Sequence, residues 1–434
     1  MNGLLDAPLL SGPLPLAVGT AGVVGGLYLL GRRSRRWWTF VVPTVLVGAT
    51  AVTALLAFLI DNVWRPFPDP VPLTVLLAIG GGLAGIALGV AALSRRRWHV
   101  RIVRAVAVVL VVAAAAQGVN LVYREYPTLR TALALPAVDE IPFTQIPLRE
   151  QVIGARSGLP LSAVWRPPAG MPATGAVTQI DIPAPVSGFA ARPAWLYVPP
   201  AYLSRPRAQL PVLVLMAGQP GDPRNWLDGG QLAARMDAFA AAHNGLAPVV
   251  VIVDQLGSPL ANPLCMDSRL GKVATYLSVD VPAWIRKTLQ VEPSPSEWAI
   301  GGFSNGGTCA LQMAVNEPKL YPTFVDISGE SAPTLGDRAR TMQATFGGDR
   351  AEFAAVNPLD VLATNRFPNS AGYLVAGQQD QQYLPEARQV LAACQAAGMD
   401  VQLHLRPGGH SFEVWGPGLD EALPWLATRL GMMP

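Results

Sequence analysis

Trp298-Ala299-Ile300-Gly301-Gly302-Phe303-Ser304-Asn305-Gly306-Gly307-Thr308-Cys309 is the stretch on which the reading of this chain turns. Trp298 to Gly301 reads as a short strand, and a helix is expected from Gly306 to Val315. Between them lies Gly302-Phe303-Ser304-Asn305-Gly306, a G-x-S-x-G pentapeptide at a strand-to-helix turn. A turn that sharp needs flanking residues without a Cβ. It lifts the serine oxygen above the sheet, at a helix N-terminus that favours negative charge. Ser304 is therefore the candidate nucleophile.

The same alternation continues on either side. Strand-like runs at Ala194 to Val198, Pro211 to Met216, Val249 to Val253, Thr323 to Ile327, Gly372 to Ala376 and Val401 to Leu405 are separated by helical patterns at Gln231 to His243, Ser278 to Leu289 and Glu386 to Ala397, with a closing helix after Asp420. Continuous apolar strands between helices predict a three-layer α/β unit around a mostly parallel sheet. Catalytic groups in such sheets come from loops at the carboxyl ends of strands.

A serine hydroxyl is a weak nucleophile until an imidazole removes its proton, and the chain holds four histidines. His99 falls in an arginine-rich loop, His243 ends a helix ahead of the serine, and His404 alternates with Leu403 and Leu405 on the last strand. His410, in Pro407-Gly408-Gly409-His410-Ser411-Phe412, lies just past that strand in a Gly-rich turn and is the candidate base. The carboxylate that orients it should follow the preceding strand. Asp380, in Ala376-Gly377-Gln378-Gln379-Asp380, gives the chain order Ser, Asp, His, with Glu386 and Glu330 as rivals. A tetrahedral oxyanion needs two backbone N–H donors, expected from Asn305 and from Gln219 or Gly218. Trp226, Phe303 and Trp415 lie in loops expected near the site and are candidates to line an acyl pocket, although buried aromatics are more often core.

The remainder of the chain is of another kind. Of 434 residues, 51% are hydrophobic and 14% charged. Residues 1–120 hold ten Arg against three Asp, a net of +7, so a total of +3 leaves −4 for the rest. Four apolar stretches, about Pro13 to Gly31, Trp38 to Ile60, Pro72 to Leu93 and Ile102 to Val122, are each near the ~20 residues that cross a bilayer as a helix. The arginines cluster between stretches, in Arg32-Arg33-Ser34-Arg35-Arg36 and in Ser94-Arg95-Arg96-Arg97 with Arg101 and Arg104, while Asp6, Asp61 and Asp69 fall on the opposite side. The positive-inside rule places both arginine loops in the cytoplasm and the N-terminus and large domain outside it.

No Lys or Arg precedes the first apolar core, which disfavours a cleaved signal peptide. The arginines come without the aromatic or Gly-rich pattern of a nucleic-acid arm. The bundle reads as an anchor, with Gly80-Gly81-Gly82, Gly85 and Gly89 as packing faces. The expected organisation is residues 1–122 as four transmembrane helices, 123–175 as a Pro/Gly-rich linker and lead-in, and 176–434 as the extracytoplasmic catalytic domain. Cys265, Cys309 and Cys394 show no C-x-x-C spacing. Three buried thiols are expected, with a Cys265–Cys309 bridge open to an extracytoplasmic domain, and no metal or cofactor is implied.

Four segments resemble the esterase D and mycolyltransferase group of α/β-hydrolases: Ala217-Gly218-Gln219, the run from Thr275 to Trp284, the turn around Ser304, and Gly409-His410-Ser411-Phe412-Glu413-Val414-Trp415-Gly416. The likeness covers about Ala176 to Leu430. It implies an α/β-hydrolase fold with Ser304 as nucleophile, His410 as base, and Gln219 and Asn305 as oxyanion donors. The mycolyltransferases take their acid from a Glu after the seventh strand, whereas Asp380 stands earlier, as in simpler esterases of the group, so Glu386 stays open. The expected activity is serine esterase or acyltransferase chemistry on lipid or cell-envelope esters, aminoacyl-phospholipids included. A non-catalytic envelope protein with a hydrolase fold is the alternative, and a peptidase would need only a different leaving group.

Overall fold

The computed structural model describes residues 2–32, 34–65, 69–92, 98–136, 138–147, 149–155 and 158–434. The chain separates into two compact units, Met1–Leu135 and Pro136–Pro434.

In the first unit four helices are long and apolar enough to cross a membrane: α1 (Pro13–Leu30), α2 (Trp37–Trp64), α3 (Leu73–Ala91) and α4 (Trp98–Tyr123). Both α1 and α3 pack on α4. At Gly85 and Gly89 an added Cβ would run into Val111 and Val108 of α4, so these glycines let the two backbones approach closely. The guanidinium of Arg32 donates to the carbonyl oxygen of Ala92 at 2.9 Å, and the buried Arg104 donates to the same oxygen. Two cations thus meet the C-terminal end of α3, where its last carbonyls carry partial negative charge. Arg101 and Arg104, grouped in the sequence with the arginines between the last two stretches, both lie within α4, which begins at Trp98. Arg33 and the run from Ser94 to Arg97 lie outside the described residues.

The second unit is built on an eight-stranded sheet: β1 (Ala176–Ile180), β2 (Ala194–Val198), β3 (Val212–Met216), β4 (Val249–Val253), β5 (Trp298–Phe303), β6 (Thr323–Ile327), β7 (Ala371–Gly377) and β8 (Asp400–Arg406). Across the sheet the order is β8-β7-β6-β5-β3-β4-β2-β1, parallel except where β2 runs antiparallel to both β1 and β4. Helices α5 (Leu232–Ala242), α6 (Val281–Thr288), α7 (Asn305–Asn316), α8 (Tyr383–Ala396) and α9 (Phe412–Arg429) accompany it. Every residue of β3 and β4 is buried, because central parallel strands are covered on both faces. Separate apolar clusters include Val214, Val251 and Ile300 in one, and Leu213, Val250 and Val325 in the other. Alternate residues along each strand thus feed two cores, which is the three-layer arrangement.

Residues 136–175 join this unit. Trp165 is buried with its indole N–H donating to Asn244 O at 2.9 Å, and the Leu161 and Ser162 amides donate to Gly431 O and Met432 O, each at 3.0 Å. Three further helices, Arg338–Phe346, Arg350–Ala354 and Pro358–Thr364, fill the connection between β6 and β7.

Candidate active site

Strand β5 ends at Phe303 and α7 begins at Asn305, which leaves Ser304 alone at the turn with φ 54° and ψ −124°. A non-glycine residue in that region is strained and persists only where its surroundings over-determine it. Here they do: the Ser304 N–H donates to Ile327 O at 2.8 Å, and its carbonyl accepts from Gly307 and Thr308 at 2.9 and 3.1 Å. A Cβ at Gly302 would meet the Gly306 backbone and Met216 O, and one at Gly306 would meet the Met216 and Ala217 backbone. The pentapeptide's glycines are thus required by contact with β3 as well as by the turn.

His410 lies between β8 and α9. Its Nε2 is 2.9 Å from Ser304 Oγ and its Nδ1 is 3.0 Å from Asp380 Oδ2. A carboxylate can only accept from the imidazole, so Nδ1 carries the proton and the Nε2 lone pair faces the hydroxyl. The other carboxylate oxygen, Asp380 Oδ1, accepts from the Tyr383 N–H at 3.1 Å. The Tyr383 ring stacks on the imidazole at 4.0 Å, and Trp415 meets its edge at 5.0 Å. The Asp380 side chain is 4% exposed against 22% for His410, so the carboxylate sits behind the imidazole, away from water.

The rival carboxylates are engaged elsewhere. Glu386 accepts from the Ser331 N–H at 2.6 Å, and Glu330 lies 3.4 Å from the Thr308 hydroxyl. His404 pairs with Glu421 at 3.1 Å and stacks on Tyr373, His243 stacks on Phe239, and His99 stands in the first turn of α4.

Asn305 opens α7, and its N–H, like that of Gln219, donates to no protein acceptor among the described residues. Gly218 lies against the Ser304 side chain, so the loop after β3 runs beside the turn. Trp226, Phe303 and Trp415 are 0, 3 and 6% exposed and form a buried aromatic cluster behind Ser304. Phe303 stacks on Trp415 at 4.4 Å and meets Trp226 and Phe412 edge-on at 5.0 Å, while the Trp226 indole N–H donates to Met216 O at 2.9 Å.

Three neighbours of the site were not singled out in the sequence. Tyr383 stands three residues after Asp380 in the first turn of α8, a spacing that could have marked it. Gln255, 1% exposed just past β4, had no signal of its own. Asp326, buried on β6, accepts from the Gly329 N–H at 2.8 Å, and burial, with Glu386 adding, pushes its carboxyl up to about 7.

Cys265 and Cys309 form a disulfide, so two of the three thiols expected from the sequence are joined. Cys394 is a buried thiol, pushed up to about 12 by burial. No cluster of three or more His, Cys, Asp or Glu suited to a metal occurs among the described residues.

The model of the esterase family matches residues 191–426, more than half of the chain. The chain belongs to the esterase family. It is a serine ester hydrolase by that membership. Across 99% of its length it is also 36% identical, over 444 residues, to an uncharacterized protein of Corynebacterium glutamicum, of which the match covers 98%. That likeness therefore runs through the four apolar helices as well as the esterase domain. Among solved structures, a ferulic acid esterase superposes with a TM-score of 0.50 at 19% identity, covering 59% of this chain and 98% of that one. An S-formylglutathione hydrolase from Agrobacterium tumefaciens superposes at 0.48, also at 19% identity, covering 60% and 97%. The first superposition supports the α/β-hydrolase fold and no more.

Proposed function

We propose that this esterase is anchored by its four apolar helices and acts outside the cytoplasm, through Ser304, His410 and Asp380, as an esterase or acyltransferase on lipid or cell-envelope esters. The observation that carries the reading is the bridging imidazole, 2.9 Å from Ser304 Oγ and 3.0 Å from Asp380 Oδ2. As Oγ attacks the ester carbonyl, His410 Nε2 takes its proton and Asp380 stabilises the resulting imidazolium. The oxyanion receives the N–H groups of Asn305 and Gln219. Collapse expels the alcohol, which leaves with the proton from Nε2, and Ser304 keeps the acyl group. Water, or a second alcohol, then releases it by the reverse proton traffic.

The arginine clusters support an orientation with the large domain outside. The Cys265–Cys309 disulfide agrees, since such bonds persist in oxidising compartments. A tethered domain is concentrated at its own membrane, which favours lipid and envelope esters as substrates.

Ser304→Ala should abolish hydrolysis of p-nitrophenyl butyrate, and His410→Ala should abolish fluorophosphonate labelling of Ser304. Unchanged activity in the first variant would sink the mechanism. For topology, Leu405 is 41% exposed on β8, and the native cysteines are bridged or buried. Leu405→Cys should therefore react with a membrane-impermeant maleimide in intact cells, and reaction only after lysis would invert the orientation.

A further inference from the structure

Asn305 opens α7 after β5 and Gln219 lies in the loop after β3, so the two oxyanion donors stand on segments that follow different strands. The sheet fixes the strands; the two segments that follow them need a tie of their own. Gln255 reaches both. Its Nε2 donates to Ala217 O at 2.6 Å and to Asn305 Oδ1 at 3.1 Å, so both protons of one amide are used, one on the loop after β3 and one on the first residue of α7. Asn305 Nδ2 then donates to Asn262 Oδ1 at 3.2 Å, and Asn262 Nδ2 donates to Thr334 O at 3.3 Å.

The direction of this chain is determined by its ends. Ala217 O and Thr334 O are backbone carbonyls that can only accept, so each must face an NH2 group, and the amides between them fall into one order. The Leu264 N–H, donating to Asn262 Oδ1 at 3.3 Å, requires the same assignment.

The loop carrying Gln255 and Asn262 is itself held at both ends. Asp254 accepts from Arg192 Nε and Nη2 at 3.0 and 2.7 Å and from the Leu256 and Gly257 amides at 3.1 and 3.0 Å. At the far end Cys265 is bonded to Cys309 on α7, and Gln312 of α7 donates to Leu264 O at 2.7 Å. Midway, Gln219 Nε2 donates to Leu260 O at 3.0 Å.

We infer that Gln255 is a positioning residue for the oxyanion hole, which ties the Ala217–Gln219 loop to Asn305 so that both N–H donors converge on one point. It touches no substrate; it acts through that loop and the start of α7. The inference rests on Ser304, His410 and Asp380 working as proposed above. A donor moved off its line stabilises the tetrahedral state poorly while leaving ground-state binding nearly intact.

The test uses the full chain in detergent, with p-nitrophenyl butyrate as substrate and an alkyl trifluoromethyl ketone as inhibitor, since addition of Ser304 makes the ketone a charged tetrahedral adduct. Gln255→Met keeps the side chain's length and removes both donors. It should lower kcat by about tenfold or more and weaken ketone inhibition by the same factor, with KM changed less than about twofold. A smaller loss, or a loss of kcat with ketone affinity unchanged, overturns the inference. If Gln255→Met does not fold, Asn262→Ala decides: parallel weakening of kcat and ketone inhibition supports the chain, and no change in either overturns it. Ser304→Ala separates the two levels. Activity in that variant refutes the triad, whereas a dead Ser304→Ala beside a normal Gln255→Met refutes only the positioning role.

Discussion

Asp380→Asn is the most informative single change, because the geometry dictates how it fails. Asp380 Oδ1 is held by the Tyr383 N–H, a donor, and Oδ2 faces His410 Nδ1. Asparagine has one acceptor and one donor group. Its oxygen must stay with Tyr383, which leaves its NH2 facing the imidazole. His410 then holds its proton on Nε2 and offers a donor, where the serine hydroxyl needs a base. Volume and backbone are unchanged, so the defect lies in the tautomer and not in folding. The same substitution in a well-studied serine protease costs about 10⁴ in kcat, or ~5 kcal/mol of barrier, and we expect a loss of that order. Initial rates on p-nitrophenyl butyrate measure it, with thermal unfolding as the control. Glu386→Gln, which can still accept from Ser331, should stay within about threefold of the parent. The reasoning is refuted if Asp380→Asn keeps more than a tenth of the parent activity, or if Glu386→Gln proves the more damaging change.

Other expectations follow from packing, cross-linking and protonation. Gly306→Ala places a methyl against the Met216 and Ala217 backbone and should destabilise the esterase domain by about 1–3 kcal/mol in urea unfolding, with activity lost alongside. Replacing Cys265 and Cys309 by serine opens a cross-link between residues 44 apart in sequence and should cost roughly 2–4 kcal/mol in the same assay. Asp326 titrates near 3.8 when exposed and at about 7 in the folded chain, where burial disfavours its charge. Between those values the folded state holds a proton that the unfolded state has released, so this group's contribution to stability falls as pH rises from 4 to 7. Asp326→Asn should remove that component, and its melting temperature relative to the parent should climb across the same range; a constant difference would refute the assignment.

Much of the sheet was legible because its strands are short, continuous apolar runs, such as Val249 to Val253, which a two-sided core demands. Ser304 was legible because the turn needs glycine on both flanks, and His410 because few histidines compete with it. What escaped detection did so for physical reasons. Helix α9 starts at Phe412 rather than after Asp420, since Pro417 and Pro424 interrupt the pattern that usually marks a helix interior. Arg338–Phe346 buries only Thr341 and Thr345, and polar residues on the inner face leave no apolar stripe to read. Helix α4 begins at Trp98, ahead of the apolar stretch from Ile102, because Trp98, His99 and Arg101 continue the helix without adding to the apolar run by which a span is read. Gln255 is an isolated amide whose partners, Ala217 and Asn305, are distant from it in sequence.

The course of residues 136–175 bears on how the esterase domain can be handled. Ile146, Leu161 and Trp165 fill the core, and the Leu161 and Ser162 amides clasp the last residues of the chain. Trimming the protein to its strands and helices, from 176 onward, would empty the Trp165 site and unpin the C-terminus in one cut. A fragment for crystallisation or assay should therefore begin at 136, where the second compact unit starts.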